Sequence, residues 1–215
     1  MNSSERITLY KTYREVGKSL HAKLQDLIDK NGLLECASLL NMLEGDTIMF
    51  DEEIDMDRLA EFSIHDYYDQ SGMNSVQKYC QSPEYEVSGE IEKNIIDAKL
   101  QAKTSFYLVN YVKREECLIG LTDVFDPKNK VEITDIGLSQ TIIPQKSYIA
   151  TRVMKFDHFS STTGVVYIFN KSKYKKVRNK LLRIYKSLPK LKTNTKMTIS
   201  FYYVNKQYGM VTDLA

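Results

Sequence analysis

Long apolar runs are missing from this chain. Its apolar stretches are only a few residues long, Val165-Val166-Tyr167-Ile168-Phe169 among them, whereas a membrane-spanning helix needs roughly 20. No transmembrane segment is expected. The opening residues, Met1-Asn2-Ser3-Ser4-Glu5-Arg6, carry no apolar block of the secretory kind, which leads to the expectation of a cytoplasmic protein. Cysteine is scarce: Cys36, Cys80 and Cys117 are far apart and odd in number. That excludes a secreted disulfide framework, no two sit at metal-ligand spacing, and they read as small buried hydrophobes.

Glycine is thinly spread, nine in all, so the phosphate-cradling patterns Gly-x-x-x-x-Gly-Lys and Gly-x-Gly-x-x-Gly are absent. Gly137-Leu138-Ser139-Gln140-Thr141 lacks the second glycine that a nucleophile elbow requires. The three histidines form no His-Glu-x-x-His, no Cys/His cluster and no two-histidine, one-carboxylate spacing. His65 precedes Asp66 and stands near Asp69, His158 follows Asp157 in a loop, and His21 lies on the first helix. Each has an ordinary structural reading beside an acid–base one. No catalytic residue, metal or cofactor is assigned.

What is present is a globular composition, 42% hydrophobic and 27% charged, too apolar for disorder. The net charge of +2 conceals a split: residues 1–100 hold 10 Lys/Arg against 20 Asp/Glu (−10), and residues 101–215 hold 20 against 8 (+12). Fields of opposite sign attract each other or recruit different partners.

Periodicity divides the chain at the same place. Ile7, Tyr10, Tyr13, Val16, Leu20, Leu24, Leu27 and Ile28 recur every three or four residues, a helical stripe with Asn31-Gly32 as its exit. A second helix is expected over about Leu33 to Leu43, stopping at Gly45, and a third from near Asp55 to about Tyr68. A short one is expected around Val76 to Cys80. Ser82-Pro83-Glu84 and Ser88-Gly89-Glu90 compete as starts for a helix carrying Ile91, Ile95, Ala98 and Ala102. Beyond Lys103 the period falls to two. Residues 104–112, Cys117 to Phe125, Lys130 to Ile136, Ser147 to Phe156 and Val165 to Phe169 read as strands. Asp126 to Asn129 is a turn, Pro144 an interruption and Phe159 to Gly164 a loop. A helix follows from about Ser172 to Leu188, ended by Pro189. Thr198 to Val204 reads as a further strand and Lys206 to Ala215 as a weakly held tail.

The fold expected is α+β. An acidic helical region (1–102) is followed by a small antiparallel curved sheet or barrel (103–215), with a basic helix (171–188) packed on it, and the two regions share one core.

The basic segment carries the functional reading. Residues 171–196 hold eleven Lys/Arg and no acid. Tyr174, Val177, Leu181, Ile184 and Leu188 make an apolar seam, and Lys173, Lys175, Lys176, Arg178, Lys180, Arg183 and Lys186 surround it. Such a helix docks by its seam and shows cations to water. It then serves as a solvated face, a surface for nucleic acid or another polyanion, or a helix lying on an anionic membrane. Tyr107, Tyr111, Tyr148, Tyr167 and Phe169 are available for base stacking, although strands use the same residues for their core. Asp51, Glu53, Asp55 and Asp57 alternate like the start of a calcium loop, but Met56 and Phe62 stand where glycine and glutamate belong. The run therefore reads as a solvated face or a docking surface for something basic. Asp123 and Asp135 are candidates for paired carboxylates across a hairpin.

The stretch 96–154 contains Ile96-Asp97-Ala98, Ser105-Phe106-Tyr107-Leu108-Val109, Gly120-Leu121-Thr122-Asp123-Val124-Phe125, Thr134-Asp135-Ile136-Gly137-Leu138-Ser139 and Ala150-Thr151-Arg152-Val153. It resembles uncharacterised bacterial proteins, some with a C-terminal SEC-C zinc motif, in which a helical region precedes a small β-domain. The resemblance implies a bacterial source and this order of elements, and supplies no activity. The cysteine-rich motif is absent here, so no metal carries over. The leading expectation is a non-enzymatic protein that binds a polyanion, nucleic acid foremost, through Lys173 to Lys186. A protein–protein adaptor or self-associating protein using the opposite charges is second, and an enzyme with an unrecognised site third.

Overall fold

The structure is a computed structural model, and it describes residues 1–141 and 147–210. It is α+β, with helices through the first half and an antiparallel sheet in the second. Packing divides the chain into two compact units, Thr12–Gln101 and Met1–Lys11 with Ala102–Ala215.

The helical unit holds most of α1 (Ser3–Gln25), then α2 (Lys30–Leu39), a two-residue hairpin of β1 (Leu43–Glu44) and β2 (Thr47–Ile48), α3 (Asp55–His65), α4 (Ser75–Tyr79), α5 (Pro83–Glu86) and α6 (Glu90–Gln101). Its core is built from Leu20, Leu24, Cys36, Leu40, Phe62, Ile64, Val76, Tyr79, Ile95 and Ile96. Asn31-Gly32 is not the exit of α1. Asp29 caps α2 by accepting from the Gly32 amide at 2.7 Å, which draws both residues into its first turn. Glycine is needed there because a Cβ would sit 2.9 Å from the Tyr67 ring. The second helix stops at Leu39, earlier than its apolar pattern suggests. Asn41 turns left-handed (φ 54°), and Gly45 (φ +61°) turns the hairpin that follows. Both starts near residue 85 are used: Ser82 caps the single turn α5, and α6 begins at Glu90.

The β unit holds β3 (Thr104–Lys113), β4 (Leu118–Asp123), β5 (Lys130–Thr134), α7 (Ile136–Gln140), β6 (Tyr148–Lys155) and β7 (Ser160–Phe169). A 3-10 turn, Lys171–Lys173, leads into α8 (Tyr174–Ser187) and α9 (Thr193–Tyr208). All neighbours in the sheet are antiparallel, in the order β5-β4-β3-β6-β7. Bulges between Val109 and Tyr111 and between Thr151 and Val153 bend it. The bend brings the outer strands β5 and β7 together, and Thr162 on β7 donates to Asp135 at the end of β5 at 2.8 Å. The inner face buries Tyr107, Val109, Ile119, Leu121, Ile133, Ile149, Val166 and Ile168, with Leu138 of α7 among them. The outer face is also covered: Phe106, Phe169 and Phe201 are fully buried where α9 packs on β3 and β7.

Three expectations are corrected here. Residues 159–164, read as a loop, mostly enter β7. Ser160, Ser161 and Thr162 pair with Lys155, Met154 and Val153, and the serine and threonine hydroxyls that suggested a turn are accommodated inside the unit. Thr198 to Val204, rich in β-branched and aromatic residues, is helical. Thr195, Thr198, Ile199 and Tyr202 recur at helical spacing on a buried face, so packing outweighs propensity. The tail is held as far as Met210, whose amide donates to the Ile168 carbonyl at 2.8 Å. Pro144 and the last five residues lie outside the described residues.

Candidate functional site

Helix α8 is prepared by Asn170, whose side chain accepts from the Ser172 amide at 2.9 Å and the Ser172 hydroxyl at 2.8 Å. The helix then docks by its seam. Val177 and Leu181 are buried, and the Tyr174 ring stacks on Tyr148 with centroids 4.6 Å apart and parallels Phe106 at 6.2 Å. Lys196 of α9 lies 4.6 Å over the Tyr185 ring and ties the two helices together. Pro189 follows the last turn, whose closing bond runs from the Leu188 amide to the Tyr185 carbonyl.

At 3.6 residues per turn, Lys175, Lys176, Arg183 and Lys186 fall opposite the buried seam, and Arg178 and Lys180 flank it. Lys173, Lys175, Lys176, Arg178, Arg183 and Lys186 are exposed and Lys180 is half-buried. Among the described residues none of these seven forms an ion pair with a carboxylate. Lys173, Lys175 and Lys176 stand at the start of the helix, where the backbone dipole is already positive and acids are favoured. That placement works against the helix and strengthens its cationic field. The sequence offers no acid anywhere between Asp157 and Asp213, while twelve Lys/Arg lie in that interval.

The aromatic candidates belong mainly to the core. Tyr107 lies in the core on the inner face of the curved sheet, and Tyr167 and Phe169 are buried. Tyr148 is half-covered by Tyr174. Tyr111 keeps a partly open position on β3, its ring laid over Gly120, where a Cβ would overlap it. Burial and its bond to Glu132 push the Tyr111 hydroxyl up to about 12.

The paired-carboxylate expectation fails, because Asp123 and Asp135 serve opposite ends of the β4–β5 hairpin. Asp123 accepts from the Ser105 hydroxyl and the Phe125 amide, each at 2.8 Å, and so shapes the turn. Asp135 caps α7 through the Leu138 amide at 2.9 Å. The acidic run closes on itself: Arg58 reaches Glu52 at 2.6 Å and the buried Asp55 at 2.8 Å. Among the described residues no three His, Cys, Asp or Glu converge to hold a metal ion, and no helix is long and apolar enough to cross a membrane.

His158 is exposed in the β6–β7 turn, whereas His65 is buried beside Glu61 and Lys99. The i,i+4 spacing of Glu61 and His65 on α3 was readable from the sequence. Lys99 comes from a helix 34 residues away, and nothing local announces it.

One protein-family model, described as a family of unknown function, matches residues 4–215. No curated protein and no solved structure matches the chain.

Proposed function

The chain belongs to DUF7986, a family of unknown function, and since membership assigns no activity, we propose from the geometry that it binds a polyanion, nucleic acid foremost, along α8. One observation carries this reading: a docked amphipathic helix presents Lys173, Lys175, Lys176, Arg178, Lys180, Arg183 and Lys186 without a carboxylate partner among the described residues. Such a row neutralises phosphates and releases their counterions. From Lys173 to Lys186 the helix extends roughly 20 Å, enough to engage several phosphates.

The curved sheet adds support by analogy. Numbered by its own strands, the sheet runs third, second, first, fourth, fifth, with a helix between the third and fourth. That is the connectivity of OB-type barrels, a class that includes oligonucleotide binders. Fold alone does not assign function, and the third strand here carries Glu132, bonded to Tyr111 of the first. The cationic surface of α8 therefore bears the proposal.

The test is the anisotropy of a labelled single-stranded oligonucleotide at several salt concentrations. Affinity should fall with salt at about −0.7 in log–log slope for each phosphate engaged. Reversing Lys175, Lys176, Arg178 and Lys180 to Glu should abolish it. No binding at low salt, or binding indifferent to the reversal, removes the proposal.

A further inference from the structure

The helical unit buries ionisable groups that α8 and the sheet do not use. Glu61 and His65, one turn apart on α3, and Lys99 on α6 are 7%, 2% and 6% exposed. His65 Nε2 lies 3.2 Å from Lys99 Nζ and 3.7 Å from Glu61 Oε2. His21 of α1 stands half-buried beside them. Burial first, then Lys99, hold its imidazole below the usual 6.5, against the opposing pull of Glu61 and Asp57; Arg14 acts in the same direction as Lys99. From α2 comes Cys36, its thiol pushed up by burial, with Glu35 and Asp66 acting in the same direction. Next to α4, Asn74 donates its side-chain amide to the His65 carbonyl at 2.8 Å.

One imidazole nitrogen thus faces a cation and an anion at once. An ammonium donates and cannot accept. With Lys99 charged, Nε2 must be the bare, accepting nitrogen, and the ring proton sits on Nδ1. Once His65 is protonated, Nε2–H points at a like charge 3.2 Å away, and Glu61 offers an acceptor on the same helix. The two arrangements exclude each other.

We propose that His65 is a proton-operated latch between α3 and α6: neutral, it accepts from Lys99 and fastens α6; protonated, it turns to Glu61 and lets Lys99 go. The released state binds one proton more than the latched state, so falling pH favours release. The effect sets in where the released imidazole takes up its proton. It reaches up to about tenfold in the opening constant per pH unit. His21 acts in the same sense. Its depressed value means that neutral His21 favours the closed unit above 6.5, a contribution lost as pH falls through that lowered value.

Imidazole nitrogen NMR and amide hydrogen exchange on the intact chain test this. At pH 8 His65 should show the Nδ1–H tautomer. After correction for intrinsic exchange, the opening of α6 amides should rise on acidification toward pH 5.5, and Lys99→Met should remove most of that rise. The latch is overturned by an Nε2–H tautomer at pH 8, by α6 exchange that does not respond to acid, or by a folded Lys99→Met variant that responds as the wild type does. The first two readouts need no variant, so a misfolded Lys99→Met leaves them decisive.

Discussion

Asp55 shows how little a residue's type says about its task. By composition it is one acid in an exposed acidic run. In the structure it is 1% exposed, accepts from Arg58 at 2.8 Å and from the Glu52 amide at 3.2 Å, and anchors the start of α3. Arg58 is itself 7% exposed and also reaches Glu52, so this pair is removed from water within a small network. Removing one partner of a buried pair costs about 3–5 kcal/mol, mostly because the survivor is stranded. Arg58→Met should therefore lower stability in a urea titration by about that amount. Arg58→Met with Asp55→Asn should cost less than the single change. A single substitution costing under about 1 kcal/mol would mean that the pair behaves as an exposed one. Of the four alternating acids of that run, Asp55 points into the unit toward Arg58.

Elements followed the sequence where a single periodicity governed them. Strands β3 to β6 and helix α8 lie close to where their patterns place them, since alternation and a three-to-four repeat each bury one face. In the β unit the exceptions, β7 and α9, take their form from neighbours. Ser160 to Thr162 extend β7 because β6 offers them a ladder and Asp135 offers Thr162 an acceptor. The same carboxylate caps α7, so one side chain fastens the curled ends of the sheet. Asp135→Ala should cost about 2 kcal/mol, a cap and one hydroxyl bond together. It should also speed amide exchange in the first half of β7 more than in β3. Equal exchange in the two strands would mean that this contact does not hold the edge.

Across the whole molecule the dominant feature is charge. The unit Thr12–Gln101 carries 8 Lys/Arg against 19 Asp/Glu, formally −11; the remainder carries 22 against 9, formally +13. This asymmetry favours a second reading, self-association through opposite fields. Under it, light scattering at low salt should report species larger than a monomer that dissolve as salt rises, since exposed charges are screened within about 10 Å at 0.1 M. Reversal of Lys175, Lys176, Arg178 and Lys180 should have the same effect as salt. A mass that stays monomeric and independent of salt would leave the polyanion reading without this competitor.

The class of fold, the change of period near residue 103 and the cationic side of α8 were all legible in the sequence. Each is a local property: repeat length, turn chemistry, and charges spaced along one helix. The candidate site of the proposed function was legible for that reason. The joining of β5 to β7, the helical state of residues 198–204 and the meeting of Glu61, His65 and Lys99 were decided only in three dimensions. Each depends on groups distant in the chain, and a pattern along one strand or helix carries no information about what will be packed against it.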